Sequence, residues 1–85
     1  MNRRKQKMRG RPSRTEAGVD LLAIGNRIRD LRAGATQEEF SDRMGISQAQ
    51  LSKYELGQSA PPLGFLIKLS RDSGIPVDWI LAGRQ

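Results

Sequence analysis

The chain has 85 residues, which is near the lower limit for a domain with its own core, so we expect one small domain. It contains no cysteine and no histidine. Disulfides, thiolate metal sites and histidine-based catalytic triads are therefore excluded. No cluster of carboxylates, lysines or hydroxyls replaces them, so the sequence predicts neither an enzyme nor a metal or cofactor site.

The net charge of +6 is unevenly distributed. Residues 1–14 contain seven basic side chains and no acidic one, so this segment carries +7. The other eight of the fifteen basic side chains are accompanied by nine acidic ones, so residues 15–85 carry −1. A concentrated basic segment indicates a polyanionic partner, either a nucleic acid or an anionic membrane.

The apolar runs are only a few residues long, which is far short of a transmembrane span. The basic N-terminus also lacks the apolar region of a signal peptide. We therefore expect a cytoplasmic protein, associated with the nucleoid if it is bacterial.

Residues 1–14 have no apolar periodicity, and we expect a flexible arm. The arm contains Arg9, Gly10, Arg11 and Pro12, which together resemble the core of the AT-hook, a segment that lies along the minor groove of A·T-rich DNA. An extended Gly-Arg-Pro fits a narrow groove, whose negative potential attracts arginine. The alternatives are a solvated arm that touches phosphates without preference, and a nuclear-targeting signal.

The first helix has two possible starting points. Ser13 and Glu16 have the spacing of a capping box, so the helix could begin as early as Arg14. The strong apolar periodicity begins later, at Leu21, and continues at intervals of three or four residues. Gly34 should end this helix, so that the last helical residue is about Ala33.

The next stretch predicts two short helices joined by a tight turn. Thr36 and Glu39 form a second capping box, which predicts a helix over about 37–44. Gly45 supplies the turn, with a positive φ. A further helix follows over about 48–56, so residues 37–56 form a helix-turn-helix motif.

This third helix has two unlike faces at about 100° per residue. Leu51 and Tyr54 fall on one face, with the cap Ser47 beside them. Glu55 lies on the same side and needs a partner if it is buried. The opposite face carries Gln48, Ala49, Ser52 and Lys53, with Gln50 at its flank.

Two more helices complete the chain. Gly57 ends the third helix, and a loop leads to a fourth helix over about 62–72, with proline at its first position. A fifth helix over about 76–82 carries Trp79, Ile80 and Leu81. No segment has the alternation of a strand. The sequence therefore predicts an all-α fold of five short helices around one core.

The residues T-Q-E-E-F-S-x-x-M-G-I-S-Q-x-x-L-S-K-Y-E-x-G, then Pro61, then G-I-P-V-D-W-I-L-A-G resemble the phage-repressor, Cro-like helix-turn-helix family, also called XRE. The resemblance covers about residues 21–83. Ser41, Gly45 and Leu51 occupy its small, turn and apolar positions. It implies a five-helix, lambda-repressor-like DNA-binding domain over 15–85, to which the basic arm is an addition.

The resemblance also implies roles for individual residues. The third helix would enter the major groove, with Gln48 bonding adenine and Ala49 packing on a thymine methyl. Ser52 and Lys53 would reach base edges or phosphates. Gln37 resembles the glutamine that bonds a phosphate from the start of the second helix. The other candidate phosphate contacts are Arg43, Ser47, Gln50, Gln58 and Ser59.

Two further features follow from the resemblance. In the family, an arginine of the first helix pairs with a glutamate of the third helix. Arg32 and Glu55 resemble this pair. The link between the first two helices is shorter here than is usual in the family. The end of the fifth helix often forms the dimer contact, so Trp79, Ile80 and Leu81 are dimer candidates.

The leading hypothesis is a sequence-specific regulator of transcription that binds double-stranded DNA as a homodimer, most simply as a repressor from a phage, mobile element or bacterial chromosome. No small-molecule effector is expected. One alternative is a protein-interaction module such as an antitoxin or adaptor, which would bind a protein partner. Another is an architectural DNA-binding protein of weak specificity.

Overall fold

The computed structural model describes residues 15–16 and 19–83. The whole arm, residues 1–14, lies outside the described residues, and with it the AT-hook-like Arg9–Pro12 and the proposed cap Ser13. The elements are β1 (Thr15–Glu16), β2 (Val19–Asp20), α1 (Leu21–Arg32), α2 (Gln37–Met44), α3 (Gln48–Glu55), α4 (Leu63–Ser73) and α5 (Val77–Ala82). The prediction of an all-α domain with five helices is confirmed.

The first helix begins later than its earliest predicted start. Thr15 and Glu16 pair with Asp20 and Val19 in a short antiparallel ladder. The Asp20 Oδ1 atom accepts hydrogen bonds from the backbone N–H groups of the second and third helical residues, both at 3.1 Å. A start at Arg14 and the absence of any strand were therefore wrong predictions. The helix begins where its apolar stripe begins, because only there does helix formation bury side chains.

All five helices contribute to one core. Its fully or nearly fully buried apolar side chains are Ile24, Ile28, Phe40, Met44, Leu51, Tyr54, Phe65, Leu66, Leu69 and Ile80. The rings of Tyr54 and Phe65 are tilted at 55° with centroids 5.0 Å apart, which is a favourable aromatic arrangement. This contact joins α3 to α4, so α3 is held by α4 on one side and by α1 on another.

Two glycines allow α1 and the end of α3 to approach closely. A Cβ atom at Gly25 would lie 2.5 Å from the carbonyl oxygens of Tyr54 and Glu55. A Cβ atom at Gly57, where φ is +73°, would lie 2.9 Å from the Cα atom of Leu22. Only a residue without a side chain fits either place, so α3 is held directly against the backbone of α1.

The last two helices each begin one residue later than predicted. Pro62 and Pro76 are extended residues that precede α4 and α5, rather than first helical residues. At the other end of α5, the Arg27 Nη1 atom donates to the carbonyl oxygens of Ile80 and Leu81 at 3.0 and 3.2 Å. An arginine of α1 thus caps α5 and holds it against the first helix.

Within the described part of the chain, no helix is long and apolar enough to cross a membrane. Over the same residues, no group of three or more acidic side chains gathers in a way that could hold a metal ion.

Candidate nucleic-acid interface

The turn between α2 and α3 is built by local capping. The Thr36 Oγ1 atom accepts from the backbone N–H of Glu39 at 3.1 Å, and the Glu39 carboxylate accepts from the backbone N–H of Thr36 at 2.9 Å. Gly45 ends α2 in the left-handed conformation, with φ at +76°. The Ser47 hydroxyl then accepts from the backbone N–H of Gln50 at 3.0 Å. The predicted capping box, turn and cap are confirmed.

The two faces of α3 divide as the sequence predicted. Leu51, Tyr54 and Glu55 are buried. On the other side the structure exposes Gln48, Ala49 and Lys53 and half-buries Ser52 and Gln50. The first turn and the next turn of α3 therefore present an amide, a methyl, a hydroxyl and an ammonium group on one surface.

A buried ion pair fixes the other end of α3. The Arg32 Nε atom lies 2.7 Å from Glu55 Oε2, and Arg32 Nη2 lies 3.0 Å from Glu55 Oε1. The side chain of Glu55 is only 2% exposed and that of Arg32 is 16% exposed. This hydrogen bonding raises the pKa of Arg32 above its already high ordinary value, against the opposing effect of burial. The structure contains the pair that the resemblance implied.

The short link between α1 and α2 takes part in the same network. Arg32 Nη1 donates to the carbonyl oxygen of Ala35 at 3.0 Å. One guanidinium group therefore binds both the link and the carboxylate of α3. This geometry explains how the pair forms although the link is short.

Gln37 joins this network from the start of α2. Its Nε2 atom donates to Glu55 Oε1 at 2.9 Å, and the residue is half-buried. Sequence reasoning expected Gln37 on a phosphate and did not foresee this bond. An amide nitrogen carries two hydrogens, so a second donor is left for a phosphate. Glu55 thus connects the start of α2 to the end of α3.

Arg43, another predicted phosphate contact, is turned toward α4. Its Nη2 atom lies 3.1 Å from Asp72 Oδ2, and its guanidinium carbon lies 5.1 Å from the centroid of the Phe40 ring. The Arg43 side chain is half exposed, so the pair is accessible to solvent. Its charge is nevertheless partly neutralised by the acid, which makes it a weaker candidate than Gln37 for binding a phosphate.

The loop after α3 continues the same surface. The backbone N–H of Gln58 donates to the carbonyl oxygen of Lys53 at 2.9 Å, so the loop is tied to the last turn of α3. Gln58 is exposed and Ser59 is half-buried. The predicted phosphate contacts Ser47, Gln58 and Ser59 therefore lie at the two ends of the exposed face of α3.

The dimer candidates on α5 separate into two groups. Trp79 and Leu81 are half-buried and border the core, so part of each side chain faces solvent. Ile80 is 0% exposed within the monomer. Its inclusion among the dimer contacts was wrong, because its side chain is already enclosed by the core of its own chain.

Sequence reasoning missed two residues that position the site. Gly25 lies in the interior of α1, where glycine is unfavourable, and such a glycine often marks a close backbone approach. Arg27 gave no local signal, because the carbonyl groups that it caps lie more than fifty residues away in the chain.

The chain was compared with known proteins. A family model described as helix-turn-helix matches residues 27–80. The SPbeta prophage-derived uncharacterized HTH-type transcriptional regulator YonR of Bacillus subtilis (strain 168) is 36% identical over 62 residues, which cover 71% of this chain and 57% of that protein. The HTH-type transcriptional regulator ImmR of the same organism is 32% identical over 62 residues, which cover 71% of this chain and 49% of that protein.

The chain thus spans about half the length of these curated relatives. No solved structure matches it. The family match covers more than half of the chain and includes all of α2, α3 and α4. The chain therefore belongs to the helix-turn-helix family, among its phage-repressor and Cro-like (XRE) members.

Proposed function

We propose that the protein is a sequence-specific repressor of transcription that binds double-stranded DNA and reads the major groove with α3. The observation that carries this proposal is the arrangement of α3 itself. Its polar face is exposed, while its other face is anchored by core contacts and by the buried Arg32–Glu55 pair. A helix held this rigidly can present side chains to base edges in a fixed register.

The exposed side chains suit this task. Gln48 is the first residue of α3, and its amide can both donate to and accept from an adenine edge. Ala49 offers a methyl group to a thymine methyl. One turn later, Ser52 and Lys53 can reach further bases or the sugar-phosphate backbone.

Contacts to the phosphates would fix the register. The start of α2 offers the free N–H groups of a helix N-terminus together with the second amide hydrogen of Gln37. Ser47, Gln50, Gln58 and Ser59 border the reading face. Because residues 15–85 carry −1 in total, most of the electrostatic attraction would come from the +7 arm. The arm would contact phosphates or enter the minor groove.

A homodimer would supply two reading helices. We place the contact at α5, where Trp79 and Leu81 are partly available. Two half-sites would then lie about 34–36 Å apart, or one turn of the duplex. Both relatives are named as transcriptional regulators, which supports regulation by binding of an operator.

Selection of bound sequences from a random DNA pool tests the proposal. The parent protein should recover a motif with two related half-sites. Gln48→Ala should then weaken operator binding by about 5–150-fold for each half-site, which corresponds to the loss there of one bidentate base contact of about 1–3 kcal/mol. Binding to random DNA should change little. Asn26→Ala, which removes an exposed amide on α1, is the matched control. An unchanged ratio of operator to random binding in Gln48→Ala refutes reading by α3.

A specific observation also favours a second candidate, a protein-interaction module. Leu63 is 72% exposed and Ile67 is 47% exposed, and these two residues are one turn apart on α4. Leu22 on α1 and Leu56, directly after α3, are also exposed. Recovery of no motif from the random pool would favour this function or an architectural role.

A further inference from the structure

The outward face of α5 presents a carboxylate at its centre. At about 100° per residue, Asp78 and Ala82 point away from Ile80, the residue of α5 that the core encloses. Both are exposed. Trp79 and Leu81, which are half-buried, lie on the two sides of this face. A second copy that covers Trp79 and Leu81 together would therefore also cover Asp78.

Covering this carboxylate is unfavourable unless a cation meets it. A buried charge is costly unless it is paired and hydrogen-bonded. Within the part of the chain that the structure describes, Asp78 takes part in no ion pair. An interface through α5 therefore needs a positive group that the other copy supplies.

Arg27 has donors left at the other end of α5. Its Nη1 atom donates to the carbonyl oxygens of Ile80 and Leu81, while its Nε and Nη2 atoms make no hydrogen bond to the described residues. These two atoms form an edge of the guanidinium group that suits a carboxylate. An added Cβ atom at Gly83 would lie 2.7 Å from Nη2 and 3.3 Å from Nε. Glycine leaves that position open, and Gly83 is itself exposed.

We propose that Asp78 of each protomer binds Arg27 of the other, so that the two α5 helices pack antiparallel across the two-fold axis. This inference rests on the proposed function, because it requires the copies to meet at α5. A two-fold axis can relate two helices in parallel or antiparallel. In a parallel pair, groups of like charge would face each other. In an antiparallel pair each carboxylate meets a guanidinium group, and the symmetry forms the contact twice.

The dimensions of α5 allow this pairing. A helix rises about 1.5 Å per residue, so Asp78 precedes Ile80 by about 3 Å along the axis, and its side chain leans further toward the start of the helix. Arg27 lies at the opposite end, beyond the carbonyl of Leu81. When the two-fold axis passes near Ile80, an antiparallel copy brings its Arg27 to the end that holds Asp78. The small side chain of Ala82 permits close approach of the second helix.

Asp78→Asn tests the pairing, because it keeps the size of the side chain and removes its charge. In analytical ultracentrifugation of the full chain, the dimer dissociation constant should rise by about tenfold, or about 1.4 kcal/mol over the two contacts. Asp30→Asn, which neutralises an exposed acid on α1, is the matched control and should leave the constant unchanged. An unchanged constant in Asp78→Asn overturns the inference. A lower constant also overturns it, since removal of an unpaired carboxylate strengthens an interface.

A double-mutant cycle identifies Arg27 as the partner. Arg27→Met removes the cap of α5 as well, so its own effect does not define the contact. If the two side chains pair, Asp78→Asn should have almost no effect on dimerisation in the Arg27→Met background, and a tenfold effect there overturns the pairing. If circular dichroism shows that Arg27→Met does not fold, Arg27→Lys takes its place. Asp78→Asn should then raise the constant less than in the parent chain, and an equal rise overturns the pairing.

Cross-linking tests the antiparallel arrangement. The chain has no cysteine, so disulfides can be directed to chosen positions. In a mixture above the dissociation constant, Asp78→Cys chains should join Ala82→Cys chains faster than either variant joins itself. A dimer that lacks this preference overturns the antiparallel inference alone. A parent chain that stays monomeric at concentrations that saturate the operator overturns the proposed dimer, and this inference with it.

Discussion

Replacement of Glu55 by glutamine is the sharpest perturbation of the site. The substitution keeps the shape of the side chain and removes its charge. In the parent structure the carboxylate accepts two hydrogen bonds from Arg32 and one from Gln37, and it is almost inaccessible to solvent. In the variant, the guanidinium group of Arg32 stays mostly buried without a counter-ion. Part of its hydrogen bonding to the former carboxylate is also lost, because an amide nitrogen cannot accept.

The expected cost is large for a domain of this size. Breaking a buried ion pair by removing one partner costs about 3–5 kcal/mol. A domain of 85 residues typically has a free energy of unfolding of about 4–13 kcal/mol. At about 4–8 °C per kcal/mol, Glu55→Gln should lower the Tm by more than about 12 °C.

Thermal and urea unfolding, followed by circular dichroism and by Trp79 fluorescence, measure this cost. Asp72→Asn is the matched control, because it breaks the exposed Arg43–Asp72 pair and should cost at most about 1 kcal/mol. Equal losses in the two variants would refute the argument that burial makes the Glu55 pair important.

A double replacement separates stability from positioning. Arg32→Met with Glu55→Leu removes both charges, and such replacements are often neutral or stabilising. The double variant should therefore regain most of the stability lost in Glu55→Gln. It should still bind the operator weakly, since Gln37 has lost the carboxylate that orients it. Full recovery of operator affinity would show that the network contributes only to stability.

Three further predictions concern packing, assembly and charge. Gly25→Ala should destabilise the domain by at least about 1–3 kcal/mol, because its new methyl group would overlap carbonyl oxygens of α3. A Cβ atom at Gly64 would meet no atom within 4 Å, so Gly64→Ala should instead raise the free energy of unfolding by about 0.5–1 kcal/mol. Urea unfolding measures the change in both variants. Trp79→Ala should weaken the dimer in analytical ultracentrifugation, and an unchanged dissociation constant would remove Trp79 from the interface. Deletion of residues 1–14 should flatten the salt dependence of DNA binding, measured by fluorescence anisotropy, by up to about 6 units of log–log slope for each arm of the bound dimer. An unchanged slope would mean that the arm does not neutralise phosphates.

The sequence predicted those parts of the fold that depend on local interactions. The capping box of Thr36 and the turn at Gly45 use neighbouring residues, and both are present in the structure. The apolar spacing of α3 likewise identified its buried and exposed faces. The start of α1 was ambiguous because Ser13 and Asp20 could each precede a helix. That choice depends on which residues bury apolar surface against the other helices, and local spacing does not contain this information.

The features that the sequence did not predict depend on contacts between distant parts of the chain. Ile80 lies among apolar neighbours on α5, and periodicity in so short a helix does not show which of them faces the core. Gln37 has the local features of a phosphate contact, and its bond to Glu55 exists only because α2 and α3 meet. The role of Gly25 likewise depends on where the end of α3 lies.

The proposed function assigns attraction and selectivity to different parts of the chain. The arm carries the net positive charge, so its contribution to binding should fall steeply as salt is added. The face of α3 is positioned by the Arg32–Glu55 pair, whose buried carboxylate is screened little by salt. Added salt should therefore weaken binding to all sequences, while the discrimination due to Gln48 between good and poor half-sites is largely kept.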